Sequence, residues 1–531
     1  MENTFPMVAK TFQGLENVLR DELIALGAEN VETGLRMVSF EGDLEMMYKA
    51  NLCCRTALRI LKPILKFTAY DPDELYDRIR DIDWEKYMSA DSTFAIDSTV
   101  NSAGFTHSKY VTYRVKDGIV DHFTDLCGRR PSIRLSGADV ILNVHIADSR
   151  VTISMDSSGE PLSKRGYRVE QTEAPINEVL AAGIIMMTGW HGETDFVDPM
   201  CGSGTFLIEA ALIAGNINPG IYREHFAFER WQDFDKELFE SLYNDDSAER
   251  DITCRISGGD IDPEAVGIAK KNVKSARLEQ NISIVCKPMQ EWDENESDGG
   301  TLITNPPYGE RLRPDDMETL YRQLGETLKF HFQGWNAWIL GYRDEHFSAI
   351  GLKPSVKYPI LNGALECSLR EYVLFSGKYN EFRAEGGSVS NKEFNRESKH
   401  HTRRISDEEW ERDAIPARGE RKVARKSDFK KCEFKTGDSK KSEFKKGEFK
   451  KGEFKKGDDR KSDFGRGERS DFKRGKKGES GKNFRSKNSA PSKEYRPAIE
   501  VSDKGPKISE DKTTFSSPVY MRSRRVWKKK E

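Results

Sequence analysis

Two short turns carry residue types from which a reaction could be built. Asn305-Pro306-Pro307-Tyr308 follows the apolar run 301–304, which reads as a strand. The prolines end that strand, since neither donates to a ladder and each fixes its own φ. The turn therefore offers an amide side chain, a carbonyl and an aromatic face at a strand's carboxyl end, the edge where ligands bind in open α/β sheets. That set suits a planar amine on a nucleobase. The Asn305 side-chain oxygen and the Pro306 carbonyl would accept its two hydrogens and favour a more tetrahedral, nucleophilic nitrogen. Tyr308 would stack on the base. Alone, the tetrapeptide is equally compatible with a plain Pro-rich turn.

The second turn lies about a hundred residues upstream. Phe196-Val197 leads into Asp198-Pro199-Met200-Cys201-Gly202-Ser203-Gly204-Thr205, and residues 206–214 have helical periodicity. Strand, glycine-rich turn and helix are the layout of a nucleotide-type cofactor site. Gly202 and Gly204 let the backbone approach a ligand closely. The full dinucleotide spacing is missing and no P-loop lysine follows, so a phosphate ligand is not demanded. A further strand ends in Asp260-Ile261-Asp262-Pro263 before a helix over 264–276. A carboxylate there is placed for a ribose diol. Asp262 is also a natural N-cap, which explains that residue better than it explains Asp260. Cys201 has the look of a nucleophile, but an amine target needs no covalent intermediate, and a small turn residue suffices.

These three segments, in this order and spacing, resemble a class I S-adenosylmethionine-dependent methyltransferase of the exocyclic-amine type. The extension Gly309-Glu310-Arg311-Leu312 resembles the RNA guanine-N2 branch. The resemblance implies that Asp198, Met200, Cys201, Gly202, Ser203, Gly204 and Thr205, with Asp260 or Asp262, bind S-adenosylmethionine. It implies that Asn305, Pro306, Pro307 and Tyr308 hold the target amine, with Asn305 also facing the cofactor. The family often has an Asp near the third strand's end that contacts the adenine. Here that place is Pro288, leaving Met289, Gln290 or backbone to supply the contact.

The front of the chain points the same way. Leu15, Val18, Leu19, Leu23 and Leu26 share one helix face, ended by Gly27. Residues 31–40 alternate as a strand, and further strands are expected at 93–98, 140–146 and 151–155, with helices between them. This is an α+β region with short sheets. It resembles a ferredoxin-like domain followed by a THUMP RNA-binding module. Residues 156–168 resemble the segment joining that module to the methyltransferase domain in bacterial large-subunit rRNA guanine-N2 methyltransferases. The expected fold is α/β: a ferredoxin-like region over 1–42, a THUMP domain over 43–155, a linker over 156–172 and a Rossmann-like methyltransferase domain over 173–382. A basic tail over 383–531 completes it. Lys164, Arg165, Tyr167 and Arg168 are candidates for phosphate contact and stacking, as are Arg129 and Arg130, with Arg134, in a loop around Pro131. His107, Lys109 and Tyr110, after Gly104, are candidates of the same kind. Relatives can carry a second methyltransferase domain downstream; the tail occupies that place, so one activity is expected.

Charge divides the chain. Residues 1–390 carry 41 Lys and Arg against 62 Asp and Glu, a net of −21; residues 391–531 carry 44 against 26, a net of +18. The tail repeats units close to Lys-Lys-Gly-Glu-Phe and almost lacks aliphatic residues, so it cannot bury a core and is expected to be disordered. Phenylalanine spaced among cations suits loose, salt-sensitive RNA contact. The eight cysteines are scattered without Cys-x-x-Cys pairs, and no histidine cluster suggests a metal. No leader peptide or membrane span is read, so a cytoplasmic enzyme with reduced thiols is expected. The expected partner is RNA, with large-subunit rRNA the first reading, tRNA the alternative and an RNA-binding assembly factor with a vestigial fold the competitor of another class. No metal, membrane or obligate protein partner is expected.

Overall fold

The computed structural model describes residues 4–295, 298–308, 314–375 and 377. The expected 309–312 extension and the basic tail lie outside the described residues. The N-terminal half runs β1 (Phe5–Lys10), α1 (Glu16–Ala25), β2 (Glu29–Gly34), β3 (Met37–Gly42), α2 (Leu44–Cys53) and β4 (Arg59–Thr68). It continues with α3 (Pro72–Arg80), β5 (Thr93–Asn101), α4 (Ser108–Cys127), β6 (Ser132–Ile133), β7 (Val140–Ala147) and β8 (Arg150–Asp156). α4 buries Val111, Val115, Ile119 and Phe123, a four-residue stripe that seats it on the sheet. In β7 burial alternates residue by residue, as a strand with one face on a core requires.

Two expectations need correction here. Residues 31–40 are not one strand but the hairpin β2–β3, which turns through Leu35 and Arg36, the latter at φ 57°. The turn carries none of the usual hairpin residues after Gly34, and the apolar alternation runs straight across it. Nor are there separate short sheets. All eight strands form one sheet in the order β2-β3-β1-β4-β8-β7-β5-β6. β4 is the seam, pairing with β1 on one edge and β8 on the other. Pro63 lies inside β4, and the register with β8 shifts between Pro63 and Leu65. A proline in a central strand is tolerated at such a bulge.

The C-terminal half runs α5 (Glu178–Met187), β9 (Asp195–Asp198), α6 (Thr205–Ala214), α7 (Lys236–Tyr243), β10 (Ile256–Asp260), α8 (Pro263–Ser275), β11 (Ile282–Cys286) and β12 (Gly300–Thr304). After these come α9 (Pro314–His331), β13 (Asn336–Gly341), α10 (Asp344–Ala349), β14 (Val356–Asn362) and β15 (Leu365–Val373). The sheet order is β11-β10-β9-β12-β13-β15-β14. β9 to β13 are parallel and β15 runs antiparallel between β13 and β14. The chain winds outward from β9 through β10 to β11, then returns to the other side of β9 with β12. That reversal opens a crevice at the carboxyl ends of β9 and β12, the switch point of a Rossmann-like fold.

The halves are packed together. Phe226, Phe228, Trp231 and Phe239, from the excursion between α6 and β10, enter the core of the N-terminal half, where Phe228 stacks on Tyr48 at 4.5 Å. Arg223 donates to the carbonyls of Ser158, Glu160, Pro161 and Lys164, which folds the connecting segment onto that excursion. No helix among the described residues is long and apolar enough to cross a membrane.

Candidate active site

β9 and β12 are parallel neighbours with Leu302 opposite Val197, so Asp198 and Thr304 emerge side by side. Thr304 Oγ1 donates to Asp198 Oδ1 at 3.1 Å, and the Met200 amide donates to the same oxygen at 3.2 Å. The glycine-rich loop and the 305–308 corner therefore border one crevice. Asp198 is fully buried; burial pushes its carboxyl up to about 8, with Asp260 adding to the shift and the two hydrogen bonds opposing it.

The loop is held by its own backbone. Cys201 donates its amide to the Gly259 carbonyl at 2.8 Å, and Gly202 donates to Asp260 Oδ2 at 2.9 Å. Gly204 has φ +79°, which favours glycine, and a Cβ there would sit 3.2 Å from the Ala269 Cβ, a tight contact that adds to the preference. Gly204 is also the N-cap of α6, whose first amides border the loop. Burial raises the Cys201 thiol well above its ordinary value, which removes it as a nucleophile.

The two acids separate by occupation. Asp262 caps α8, accepting from the Glu264 amide at 2.9 Å. Asp260 stands at the tip of β10, linked by one oxygen to the loop and by the other to the Asp262 amide at 3.0 Å. Ile261 between them is 71% exposed, an apolar side chain standing out beside the crevice. A lone isoleucine in a turn carries no signal in the sequence. The candidates for adenine contact are engaged elsewhere. Gln290 donates to Gln323 Oε1 on α9 at 2.6 Å, and Met289 is buried in the core.

At the other lip, Asn305 Oδ1 is buried and has no hydrogen-bond partner among the described residues. A buried acceptor left unmade costs about 1–3 kcal/mol, so this atom is poised for a donor from outside. Pro306 is buried, Pro307 exposed and Tyr308 half-buried. The Tyr308 hydroxyl accepts from Asn362 Nδ2 at 3.1 Å and bonds the Cys367 thiol, so the β14–β15 hairpin fixes the ring. Burial pushes its phenol far above the usual range, leaving it neutral.

The linker residues are not where phosphate contacts belong. Arg165 and Tyr167 are 2% and 1% exposed. Arg165 pairs with Glu209 and donates to the carbonyls of Leu162 and Arg55, while Tyr167 donates to Glu209 Oε1 at 2.8 Å. Arg165 is an interior joint between the halves and Tyr167 an interior contact of the C-terminal half, a correction to the expected RNA contacts. Gly166 was the available signal: at φ +112° it packs against Tyr222, which marks close packing rather than a solvated linker. Arg168 is turned inward as well. It donates to Glu178 Oε1 at 2.6 Å, the Ile176 carbonyl at 3.0 Å, Ser203 Oγ at 3.1 Å and Thr205 Oγ1 at 3.0 Å. Its last two partners flank Gly204. Asn272 completes the clamp, donating to the carbonyls of Glu170 and Ser203 and accepting from the amides of Val169 and Glu170. Lys164 is exposed and pairs with Glu160; Arg129 is exposed and pairs with Asp91 at 2.8 Å; Arg130 and Arg134 are exposed. Among the described residues no group of three or more His, Cys, Asp or Glu could hold a metal ion.

Three family models match this chain: the RlmL ferredoxin-like domain over residues 6–61, the THUMP domain over 69–156 and the RMKL-like methyltransferase domain over 165–371. The chain is 39% identical over 387 residues to ribosomal RNA large subunit methyltransferase K/L of Syntrophotalea carbinolica, covering 70% of this chain and 54% of that protein. It is 37% identical over 382 residues to a Synechocystis sp. protein named as an RNA methyltransferase, covering 70% of this chain and 97% of that one. Among solved structures it is similar to SMU.472, described as a methyltransferase and complexed with SAH, with a TM-score of 0.64, 33% identity and coverage of 71% and 100%. The chain spans about half the length of the K/L relatives it matches. With the crevice, the glycine loop and the Asn-Pro-Pro-Tyr corner in place, these matches show that the chain belongs to the RMKL-like methyltransferase family, its catalytic domain preceded by RlmL ferredoxin-like and THUMP domains.

Proposed function

We propose that this protein transfers the methyl group of S-adenosylmethionine to the exocyclic N2 amine of a guanosine in large-subunit ribosomal RNA. The observation that carries the reading is the orphaned, buried Asn305 Oδ1 at a corner tied to the glycine loop through Thr304 and Asp198. When bound, S-adenosylmethionine supplies an electrophilic methyl on a good leaving group. The rest falls to the chain. Gly202 and Gly204 leave room for the methionine part, the Asp260 carboxylate at the β10 tip takes the ribose, and Ile261 covers a face of the adenine. Asn305 Oδ1 and the Pro306 carbonyl accept the two amine hydrogens, aligning the nitrogen lone pair with the methyl. Positioning of this kind supplies most of the acceleration, and the amine loses its proton readily once alkylated. Tyr308, neutral and fixed by the hairpin, offers its ring to the base, which must leave its stack to arrive.

The ribosomal substrate is supported by the names of the K/L relatives and by the THUMP match. The same reading puts the protein in the cytoplasm with its RNA. The basic tail would add a salt-sensitive hold on the polyanion. The test is to delete the gene in its host and quantify N2-methylguanosine in large-subunit rRNA and tRNA separately by nuclease digestion and mass spectrometry. Loss of one site in large-subunit rRNA, restored by the wild-type gene but not by Asn305→Ala, is expected. Unchanged rRNA methylation would overturn the proposal.

A further inference from the structure

We infer that Tyr342 and Arg343 form a subsite for the backbone phosphate of the nucleotide delivered to Asn305, an inference that rests on the target-amine reading above. β12 and β13 run parallel with Thr304 opposite Ile339, so the residues just past β13 lie alongside the 305–308 corner. The Tyr342 ring centroid is 6.2 Å from that of Tyr308, with the planes at 40°. The Arg343 guanidinium sits over the Tyr342 ring, 5.5 Å from its centroid, within cation–π range. Arg343 is exposed, and among the described residues it has no carboxylate partner.

Its neighbours sharpen the contrast. Asp344 follows directly but is committed to Arg370, whose guanidinium lies 3.8 Å from the Phe347 ring centroid. Arg168, Arg165 and Arg255 are each tied to a carboxylate as well. In a body that carries net −21 over residues 1–390, Arg343 is a cation held by an aromatic ring beside the 305–308 corner, with no ion-pair partner among the described residues. A planar guanidinium steadied in this way presents its fork to a phosphodiester. An RNA nucleotide splayed from its stack toward Asn305 brings its 5′ or 3′ phosphate to the rim of the crevice, where Arg343 stands.

The experiment uses the full chain and an in vitro transcript of large-subunit rRNA. Dissociation constants are measured by filter binding across a salt series, methyl incorporation with radiolabelled S-adenosylmethionine, and cofactor affinity by calorimetry. Arg343→Gln is expected to raise the RNA Kd about tenfold at low salt, as loss of one charged hydrogen-bonding group does. It should also flatten the slope of log K against log salt by about 0.7, the value of one single-strand phosphate. Cofactor Kd should stay within about twofold. Arg343→Lys should restore the slope while recovering only part of the affinity, because the fork is lost. Tyr342→Leu should weaken RNA binding with the full slope retained. RNA affinity and slope equal to wild type in Arg343→Gln would overturn the subsite. Absence of methyl transfer by the wild-type chain is a separate readout, and it would overturn the target-amine reading instead.

Discussion

Arg168→Met tests whether the connecting segment also holds the cofactor turn. The Arg168 and Glu178 side chains are 14% and 11% exposed, so removing the cation strands a buried carboxylate. Such a loss costs about 3–5 kcal/mol. Burial already raises the Glu178 carboxyl and Arg168 opposes that shift. Without Arg168 the group protonates more easily, which favours the lower end of the range. Glu178→Gln in the same chain removes the stranded charge, so the double variant should regain a substantial part of the stability. It does not restore the bonds to Ser203 Oγ and Thr205 Oγ1. Each is worth about 1 kcal/mol, and if both are felt at the loop, cofactor binding weakens by about 2 kcal/mol, or roughly thirtyfold. The assays are urea denaturation for stability and calorimetry with S-adenosylmethionine for affinity, on both variants. A double variant that recovers stability yet binds the cofactor tenfold or more weakly bears the reasoning out. Cofactor affinity within twofold of wild type would refute it and reduce Arg168 to a fold element.

Three further outcomes are expected. Asn305→Ala should lower methyl transfer at least a hundredfold, the scale of removing one preorganised polar group from a transition state, with cofactor affinity nearly unchanged by calorimetry. Arg165→Met should destabilise the chain by about 3 kcal/mol or more in denaturation, because Glu209 is wholly buried, while the salt slope of RNA binding stays at the wild-type value. For Asp198 the folded carboxyl sits near 8 against an ordinary value of 3.8. The native state thus holds a proton that the unfolded chain has released, and this contribution to stability is full below about pH 4 and is lost as pH rises through about 8. Asp198→Asn mimics the protonated form, so comparing denaturation midpoints at pH 5 and pH 8.5 should show a smaller fall than in wild type. An equal fall would show that Asp198 is ionised in the native protein.

The glycine-rich turn and the Asn-Pro-Pro-Tyr corner were legible because their chemistry is local. Glycine at positive φ and proline at a strand end announce themselves in one dimension. The helices over 16–25, 205–214 and 263–275 were legible from periodicity. β4 was not, since Lys62, Pro63 and Lys66 break the pattern of a strand whose place is fixed by partners on both edges. The β2–β3 turn was hidden by an alternation that continues through it. The basic run at 164–168 misled for a different reason. Charge in a sequence reads as solvated, and only the partners Glu209 and Glu178, 44 and 10 residues away, show that two of these cations are internal. Thr304, Asn272 and Ile261 carry no signal of their own; contact or exposure in the fold gives them meaning.

Arg223 gathers four carbonyls of the connecting segment while Phe226 and Phe228, a few residues on, are sunk in the N-terminal core. If the proposed function holds, an RNA gripped by the front of the molecule meets the crevice across a span set by these contacts. On that reading, choice of target becomes partly a matter of measured length, in which the proposed guanosine is selected for standing at the right reach from the grip. Grafting the front module of a relative onto this catalytic domain should keep its aim only if residues 156–168 and 219–231 are transferred along with it.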